Sequence, residues 1–443
     1  MRFDLVTIFP EYFDVLNLSL VGKAQDTGKL SIRVHDLRQW AQGRHLSVDD
    51  TPTGGGPGMV MRPDVWGRAL DSLLEAGPGE TVLAIPTPAG TPLNQRMLEE
   101  LSAASRVIVL CGRYEGIDSR VAQHYREQPG VKVLEFSLGD YVLNGGEVAA
   151  LALVEGVGRL VEGVVGNPES VTQESHSDAG LLEGPVYTLP RTWQGRSAPD
   201  VLLSGDHARI ERFRRDQALR KTVTVRPDMI LDLLASGRHF DSRDREVLAG
   251  EGFLATVPPA TTSFRLISSS EKDLCAVSGL ATRTFPLACP VGTPQEEIDA
   301  FTGENLTPEA LLTEMTEHGA RIGVAEVQGE AIAYTLLLPA HPEGALGEGR
   351  RLDDCAYVSK CYADASWQGS GVAGALMEWA LADAVQAWGS TWSALGTNRG
   401  NKRAARFYRR HGYKKDGTRT FEVGGRKHQD DVFVRDLTRI PPD

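Results

Sequence analysis

"SLGDYVLNGGE", residues 137–147, sets the apolar triplet Tyr141, Val142, Leu143 between a Gly-Asp turn and a Gly-Gly turn. The run "VKVLEF" (131–136) leads into it and reads as a strand, and "EVAALALVEGVGRL" (147–160) leaves it with helical spacing. In open α/β sheets, ligands sit beyond the carboxyl ends of strands, where glycine lets the backbone come close to them. Two glycine breaks around a triplet that reads as buried therefore make this strand-to-helix turn a candidate ligand loop.

Working outward, "FDLVTIF", "LSIRVHDL", "TVLAIPT" and "RVIVLCG" are further short strands among helical stretches, so residues 1–160 read as an α/β domain. Two of these strands end in loops of the same style, "PTPAG" (86–90) and "CGRYEGID" (111–118). None of the three loops is G-x-G-x-x-G or a P-loop, which favours a ligand without phosphates. "DDTPTGGGPGMVM" (49–61) is too glycine-rich for regular structure, yet it is flanked by Asp49, Asp50 and Met59-Val60-Met61. An anchored base under a mobile tip is what a substrate clamp needs.

"VDDTPTGGGPGM", "LCGRYEGID", "SLGDYVLNGGE", "LVEGVVGN" and "LLEGPVYTLP", in this order, resemble the bacterial tRNA (guanine-N1)-methyltransferase (TrmD) family over residues 1 to about 235. The resemblance implies a SPOUT-class domain with a trefoil knot and S-adenosylmethionine as methyl donor. It puts the donor against Pro86, Gly112, Tyr114, Glu115, Leu138, Gly139, Asp140, Tyr141, Val142, Leu143, Gly145 and Gly146, with the triplet as an apolar floor. Asp50, Pro57 and Gly58 fall on the substrate side. The resemblance further implies methylation at N1 of the guanosine 3′ of the anticodon, position 37, by a homodimer with the site at the subunit interface.

Guanine N1 carries a proton at neutral pH, so its methylation needs a base, and charge developing on O6 needs a stabiliser. The family's arginine falls on Arg159, which taken alone reads as a helix-end cation complementing the dipole. The family's aspartate base falls on Glu174 in "SVTQESHSDAG", a departure that keeps the carboxylate and adds a methylene; Asp178 is the reserve. Residues 175–250 read as a helical domain, in which the segment 206–226 holds seven Lys/Arg against three acids. Arg209, Arg212, Arg215 and Arg220 are its expected tRNA contacts, since the resembled family grips tRNA here.

"VPPATTS" (257–263) reads as a linker without an apolar stripe to weld its flanks, so the halves are expected to fold independently. Beyond it, a hairpin turning at Gln328-Gly329-Glu330 precedes a strand, loop and helix, "CAYVSKCYADASWQGSGVAGALMEWALADAV". The loop "QGSGVA" (368–373) with the downstream "RFYRRHGY" resembles the GNAT acetyltransferase family over about residues 264–438, a mixed α+β domain. The resemblance implies acetyl-CoA as cofactor, with Gln368, Gly369, Gly371 and Ala373 at its pyrophosphate, Val358 at its pantetheine and Tyr408 as general acid. The amine acceptor is open, and neither Glu326 nor Asp364 is assigned as the base.

The net charge of −12 offers no global field for nucleic acid, so tRNA must meet a local basic patch. Five cysteines without a C-x-x-C pair argue for reduced thiols and against a zinc site, so no metal is expected. No signal peptide or membrane-length apolar run is seen, which reads as cytoplasmic. The competing reading is a tRNA-binding module whose methyl site has degenerated and whose main activity is acetylation.

Overall fold

The five Val/Ile/Leu runs form one parallel sheet: β1 (Arg2–Thr7), β2 (Ser31–Asp36), β5 (Thr81–Pro92), β6 (Arg106–Leu110) and β7 (Val131–Ser137), in the order β2-β1-β6-β5-β7. Two-residue strands β3 (Asp49–Asp50) and β4 (Val60–Met61) pair separately. This computed structural model describes residues 1–75, 80–166, 175–176, 180–289, 292–339, 354–423 and 426–438. The chain forms two units, Met1–Ala179 and Gly180–Asp443.

In the first unit the sheet is covered on both faces, which is why β6 is buried throughout and apolar from Val107 to Leu110. Phe3, Leu5, Val107 and Val109 pack with Leu153, Val154 and Val157 of α5 (Glu147–Gly158). Val6, Ile108 and Leu110 pack with Trp66 and Leu70 of α2 (Pro63–Glu75) and Val121 of α4 (Ser119–Arg126). Helices α1 (Ser19–Asp26) and α3 (Gln95–Ser102) complete the layers. The buried Asp4 on β1 is held by Arg106 at 2.7 Å, with Arg2 and His35 each at 2.9 Å. Burial opposes its charge, but these partners hold the carboxyl well below its ordinary range.

The second unit opens with the strand pair β8 (Thr192–Trp193) and β9 (Arg196–Ser197). Helices α6 (His207–Val225), α7 (Pro227–Ala235) and α8 (Ser242–Gly250) follow. A capping box at Asp241 and Asp244 starts α8. The segment expected as a linker is instead the connection of a small antiparallel pair, β10 (Phe253–Leu254) with β11 (Ala260–Thr261). Ala249 and Leu254 share one buried core with Ala325, Ala333, Val372 and Leu376. The weld escaped the sequence reading because single Ala and Leu residues make no stripe until the chain turns back at 255–259. The helices at 207–250 and the C-terminal sheet thus share a unit and a core.

That sheet has seven strands: β12 (Ser263–Leu266), β13 (Arg321–Val327), β14 (Glu330–Leu338), β15 (Cys355–Ala363), β16 (Trp392–Asn398), β17 (Lys414–Val423) and β18 (Arg426–Asp436). Their order is β12-β13-β14-β15-β16-β18-β17. Gln328 and Gly329 take φ of +52° and +83°, as the tight β13–β14 hairpin requires. Helices α9 (Glu271–Thr284), α10 (Gln295–Asn305) and α11 (Pro308–Thr316) precede the hairpin, and α12 (Val372–Trp388) and α13 (Lys402–Arg410) follow it. Every pairing is antiparallel except β15 with β16, which pair only from Cys355–Tyr357 to Trp392–Ala394. Beyond those residues the two strands have no register with each other, so the sheet forks.

Candidate active sites

The first site lies where β5, β6 and β7 end. Pro86 and Thr91 of β5 both align with Phe136, so residues 87–90 loop out of the sheet. A side chain at Gly90 would lie 2.5 Å from the Phe136 backbone nitrogen. The Gly146 N–H donates to the Gly112 carbonyl at 2.9 Å, and Arg113 bridges to Gly145. A Cβ at Gly146 would sit 3.0 Å from the Cys111 Cα and 3.2 Å from both the Gly112 nitrogen and Pro86 Cγ. Backbone of the second and third loops and the ring of Pro86 therefore meet closely, leaving no room for a side chain at Gly146. Tyr114 is left-handed at φ +60° within this cluster.

Sequence reading missed the device that locks the cluster. Glu147, 1 % exposed, accepts from the Thr7 hydroxyl at 2.8 Å and from Arg113 Nε at 3.1 Å. Arg113 also lies 4.6 Å from the centre of the Phe9 ring. One buried carboxylate thus ties the end of β1 to the second loop and to the start of α5. In the sequence it reads only as a first-turn acid.

The glycine-rich segment is anchored as expected. Asp50 pairs with Val60, and Met59 and Met61 exchange backbone hydrogen bonds of 3.0 and 2.9 Å with Glu115 and Gly116. Gly54, Gly55 and Gly56 at the tip are left-handed with nothing within 4 Å, Pro57 is exposed, and a side chain at Gly58 would collide with Glu115. Asp50 Oδ1 accepts from the Thr51 N–H at 2.8 Å.

The triplet of the opening stretch needs correction. Tyr141, Val142 and Leu143 are 55, 81 and 40 % exposed within the chain, not buried. Among the described residues of this unit nothing is laid over the loop between its glycine turns, so three consecutive apolar side chains there stay exposed. Leu138 and Gly139 are half-buried, and Asp140 is exposed. Arg159 is half-buried as the C-cap of α5. Glu174 and Asp178 lie outside the described residues.

In the second unit the basic helix is partly spent on itself. Arg212 bonds Asp216 at 2.8 Å and lies 2.9 Å from Asp244, and Arg215 grips Asp244 at 2.9 and 2.6 Å. These two arginines fasten α6 to α8. Arg209 is exposed, as is Arg220, 3.6 Å from Glu251; Arg214, unnoticed in the sequence, is exposed too.

The second site is the fork. A cavity of about 1130 Å³ opens between β15 and β16, lined by Val358–Ala363, Gly396–Asn398, Gln368, Gly369, Gly371, Ala373 and Tyr408. Gly369 and Gly371 are left-handed at +81° and +92°, leading into α12. Arg403 donates to Gln368 Oε1 at 2.7 Å. Burial pushes the Tyr408 phenol well above its ordinary range, so it stays protonated at neutral pH. Neither Glu326, bonded by Arg265 at 2.6 Å, nor Asp364, which caps 365–367, lies in the wall.

Gly371 has a further tie. A Cβ there would lie 2.5 Å from the Glu246 nitrogen on α8, and Arg245 donates to the Gly369 carbonyl at 3.0 Å. Ser242 and Glu246 themselves line the cavity, and Glu246 lies 3.5 Å from His411 Nε2. The expected phosphate loop is therefore backed by a helix from the segment expected to hold tRNA.

An α/β unit whose glycine loops converge at the carboxyl edge of a parallel sheet, joined to a forked sheet with a deep cavity, defines a two-site group-transfer enzyme. Residues 1–232, over half of the 443, match the family model for tRNA (guanine-1)-methyltransferase TrmD, and residues 291–413 match that of the GNAT acetyltransferase family. A tRNA (guanine-N(1)-)-methyltransferase of Thermobifida fusca is 52 % identical, covering 58 % of this chain and 99 % of its own length. Those of Salinispora arenicola and Leifsonia xyli subsp. xyli are 53 and 55 % identical, covering 58 and 52 % of this chain and 98 and 100 % of their own lengths. The chain belongs to the TrmD tRNA (guanine-1)-methyltransferase family and carries a GNAT acetyltransferase domain at its C-terminal end. Among the described residues, no helix is long and apolar enough to cross a membrane.

Proposed function

We propose that the first unit, with the basic helix α6, methylates N1 of guanosine 37 of tRNA in the cytoplasm, and that the forked sheet acetylates an amine. The meeting of the Pro86 ring with Gly112 and Gly146 backbone at the sheet's carboxyl edge carries the first reading. Glycine loops converging at that edge, where ligands of open α/β sheets sit, suit the flat, phosphate-free adenosine of S-adenosylmethionine, which when bound supplies an electrophilic methyl group. Gly112, Leu138, Gly139, Gly145 and Gly146 would present backbone to it, in the SPOUT trefoil knot that the family resemblance implies. Tyr114, Glu115 and Asp140 would close its rim.

Glu174 takes the N1 proton, and Arg159 stabilises charge on O6. Arg209 and Arg220 are exposed for tRNA phosphates, whereas Arg212 and Arg215 hold the helix that presents them. Tyr141, Val142 and Leu143, with exposed Phe9, Tyr12 and Val15, support a homodimer, since water-exposed apolar groups of this size favour burial. In such a dimer the triplet becomes the floor of the site.

In the second unit the cavity suits acetyl-CoA, which when bound supplies an activated acetyl group. Gln368, Gly369, Gly371 and Ala373 would hold its pyrophosphate beside the start of α12, and Val358 its pantetheine. Tyr408, protonated at neutral pH, returns a proton to the thiolate.

Gly139→Val tests the donor site. Its Cβ would press on the exposed Tyr141 ring at 2.8 Å, and its φ of +155° adds backbone strain that this exposed loop keeps local. Calorimetry is expected to show S-adenosylmethionine binding lost while the circular dichroism spectrum stays unchanged. Unaltered affinity would reduce the opening stretch to a plain turn.

A further inference from the structure

Arginines and carboxylates both line the cavity at the fork, and most of them are already matched. Asp430 is held by Arg419 at 3.2 Å. Glu246 lies 3.7 Å from Arg410, 3.8 Å from Arg243 and 3.5 Å from His411 Nε2. Glu297 belongs to α10 and lines the part of the cavity that this helix contributes, with Ile298 and Phe301. Lys360 belongs to β15.

Arg403 and Arg406 of α13 stand apart from these pairs. Both are exposed, both line the cavity, and neither has a carboxylate partner among the described residues. Arg403 donates to the neutral amide oxygen of Gln368 at 2.7 Å. Arg406 donates from Nε to the Lys402 carbonyl at 3.3 Å, which leaves its two terminal nitrogens for another partner. Three positions apart on a helix, the two side chains share one face. Arg409 and Arg410, in the last turn, suit the helix dipole, but Arg403 stands in the first turn, where the dipole disfavours a cation. A cation set against the dipole, bonded to the first residue of a glycine loop, is placed for an anion outside the helix.

Resting on the acetyltransferase reading, we infer that Arg403 and Arg406 bind the phosphate on the ribose 3′ oxygen of acetyl-CoA, and so select the 3′-phosphorylated coenzyme over its dephospho form. The pyrophosphate has its own place at Gln368–Ala373, where backbone leads into α12. Coenzyme A carries one further phosphate, on the ribose that follows the pyrophosphate. The Arg403–Gln368 bond joins the arginine face to the start of the loop, where that ribose would emerge. A guanidinium offers paired N–H donors that match two phosphate oxygens.

Calorimetry on the full chain with acetyl-CoA and with acetyl-dephospho-CoA, which lacks only the 3′-phosphate, tests this. The unaltered chain is expected to bind the dephospho form about tenfold more weakly, the loss of one charge-assisted contact. Arg406→Gln is expected to weaken acetyl-CoA binding severalfold while leaving the affinity for the dephospho form as it was. With Arg403→Gln added, the two ligands are expected to bind alike. Equal affinity of the unaltered chain for both ligands, a measurement that needs no variant to fold, overturns the inference alone. So does an Arg406→Gln loss that is the same for both ligands, or a preference that survives both substitutions. Failure to bind either ligand overturns the acetyltransferase reading and the inference with it.

Discussion

Replacing Glu174 by Gln is expected to lower kcat for tRNA methylation about 10²–10⁴-fold while S-adenosylmethionine and tRNA bind as before. Glutamine keeps the length and hydrogen-bonding reach of glutamate but cannot take the N1 proton. Bound guanine would then have to lose its proton to water before or during attack, and that is the contribution general-base catalysis removes from the barrier. Single-turnover methylation at saturating donor separates this from a binding defect. Turnover near that of the unaltered chain would move the role of base to another carboxylate, and Asp178→Asn would then be expected to show the loss. Glu174 follows from family resemblance alone, so this prediction is independent of the geometry described for the loops.

Gly371→Glu has the second large expected effect, for a reason the sequence did not reveal. A charge beside a pyrophosphate would by itself repel coenzyme A and leave the fold intact. In the structure, however, any Cβ at 371 is driven into the backbone of Arg245 and Glu246 on α8. The backbone there is also left-handed, at φ +92°. Overpacking costs about 1–3 kcal/mol, and left-handed backbone adds about 1–2 kcal/mol. The variant is therefore expected both to lose acetyl-CoA binding and to unfold at a clearly lower temperature, with α8 displaced from α12. Loss of binding at an unchanged Tm would show that α8 does not back the loop. For the same reason a chain beginning at Thr261 is expected to be less stable than one beginning at Gly180, because Val372 and Leu376 would lose Ala249 and Leu254.

Much of this was legible because it is local. The five strands of the first sheet announce themselves as short apolar runs, and "VQGEA" announces a hairpin that must turn with positive φ. The three glycine loops could be read as ligand loops because their spacing to the preceding strands is written in the sequence. What was not legible depends on parts distant in sequence. Tyr141 to Leu143 look buried in one dimension, yet among the described residues of the single chain they are exposed. Arg212 and Arg215 look like a tRNA face until the buried Asp244, on the next helix but one, claims them. Glu147 looks like a helix-start acid, and its bonds to Thr7 and Arg113 appear only when the sheet brings residue 7 beside residue 147. The linker at 257–263 has linker composition, but composition does not say whether a chain doubles back. The same limit hid the stacked aromatic pairs beside the fork, contributed by the turn after α9 and by α10, β14 and β15.

The most direct measurement is nucleoside mass spectrometry of a tRNA transcript carrying guanosine at position 37, after incubation with the purified chain and S-adenosylmethionine, beside the same transcript with adenosine at 37. The expected result is 1-methylguanosine from the first transcript and no methylated nucleoside from the second. Absence of methyl transfer to the first, or a methyl group on a different nucleoside of either, would contradict the proposed reaction.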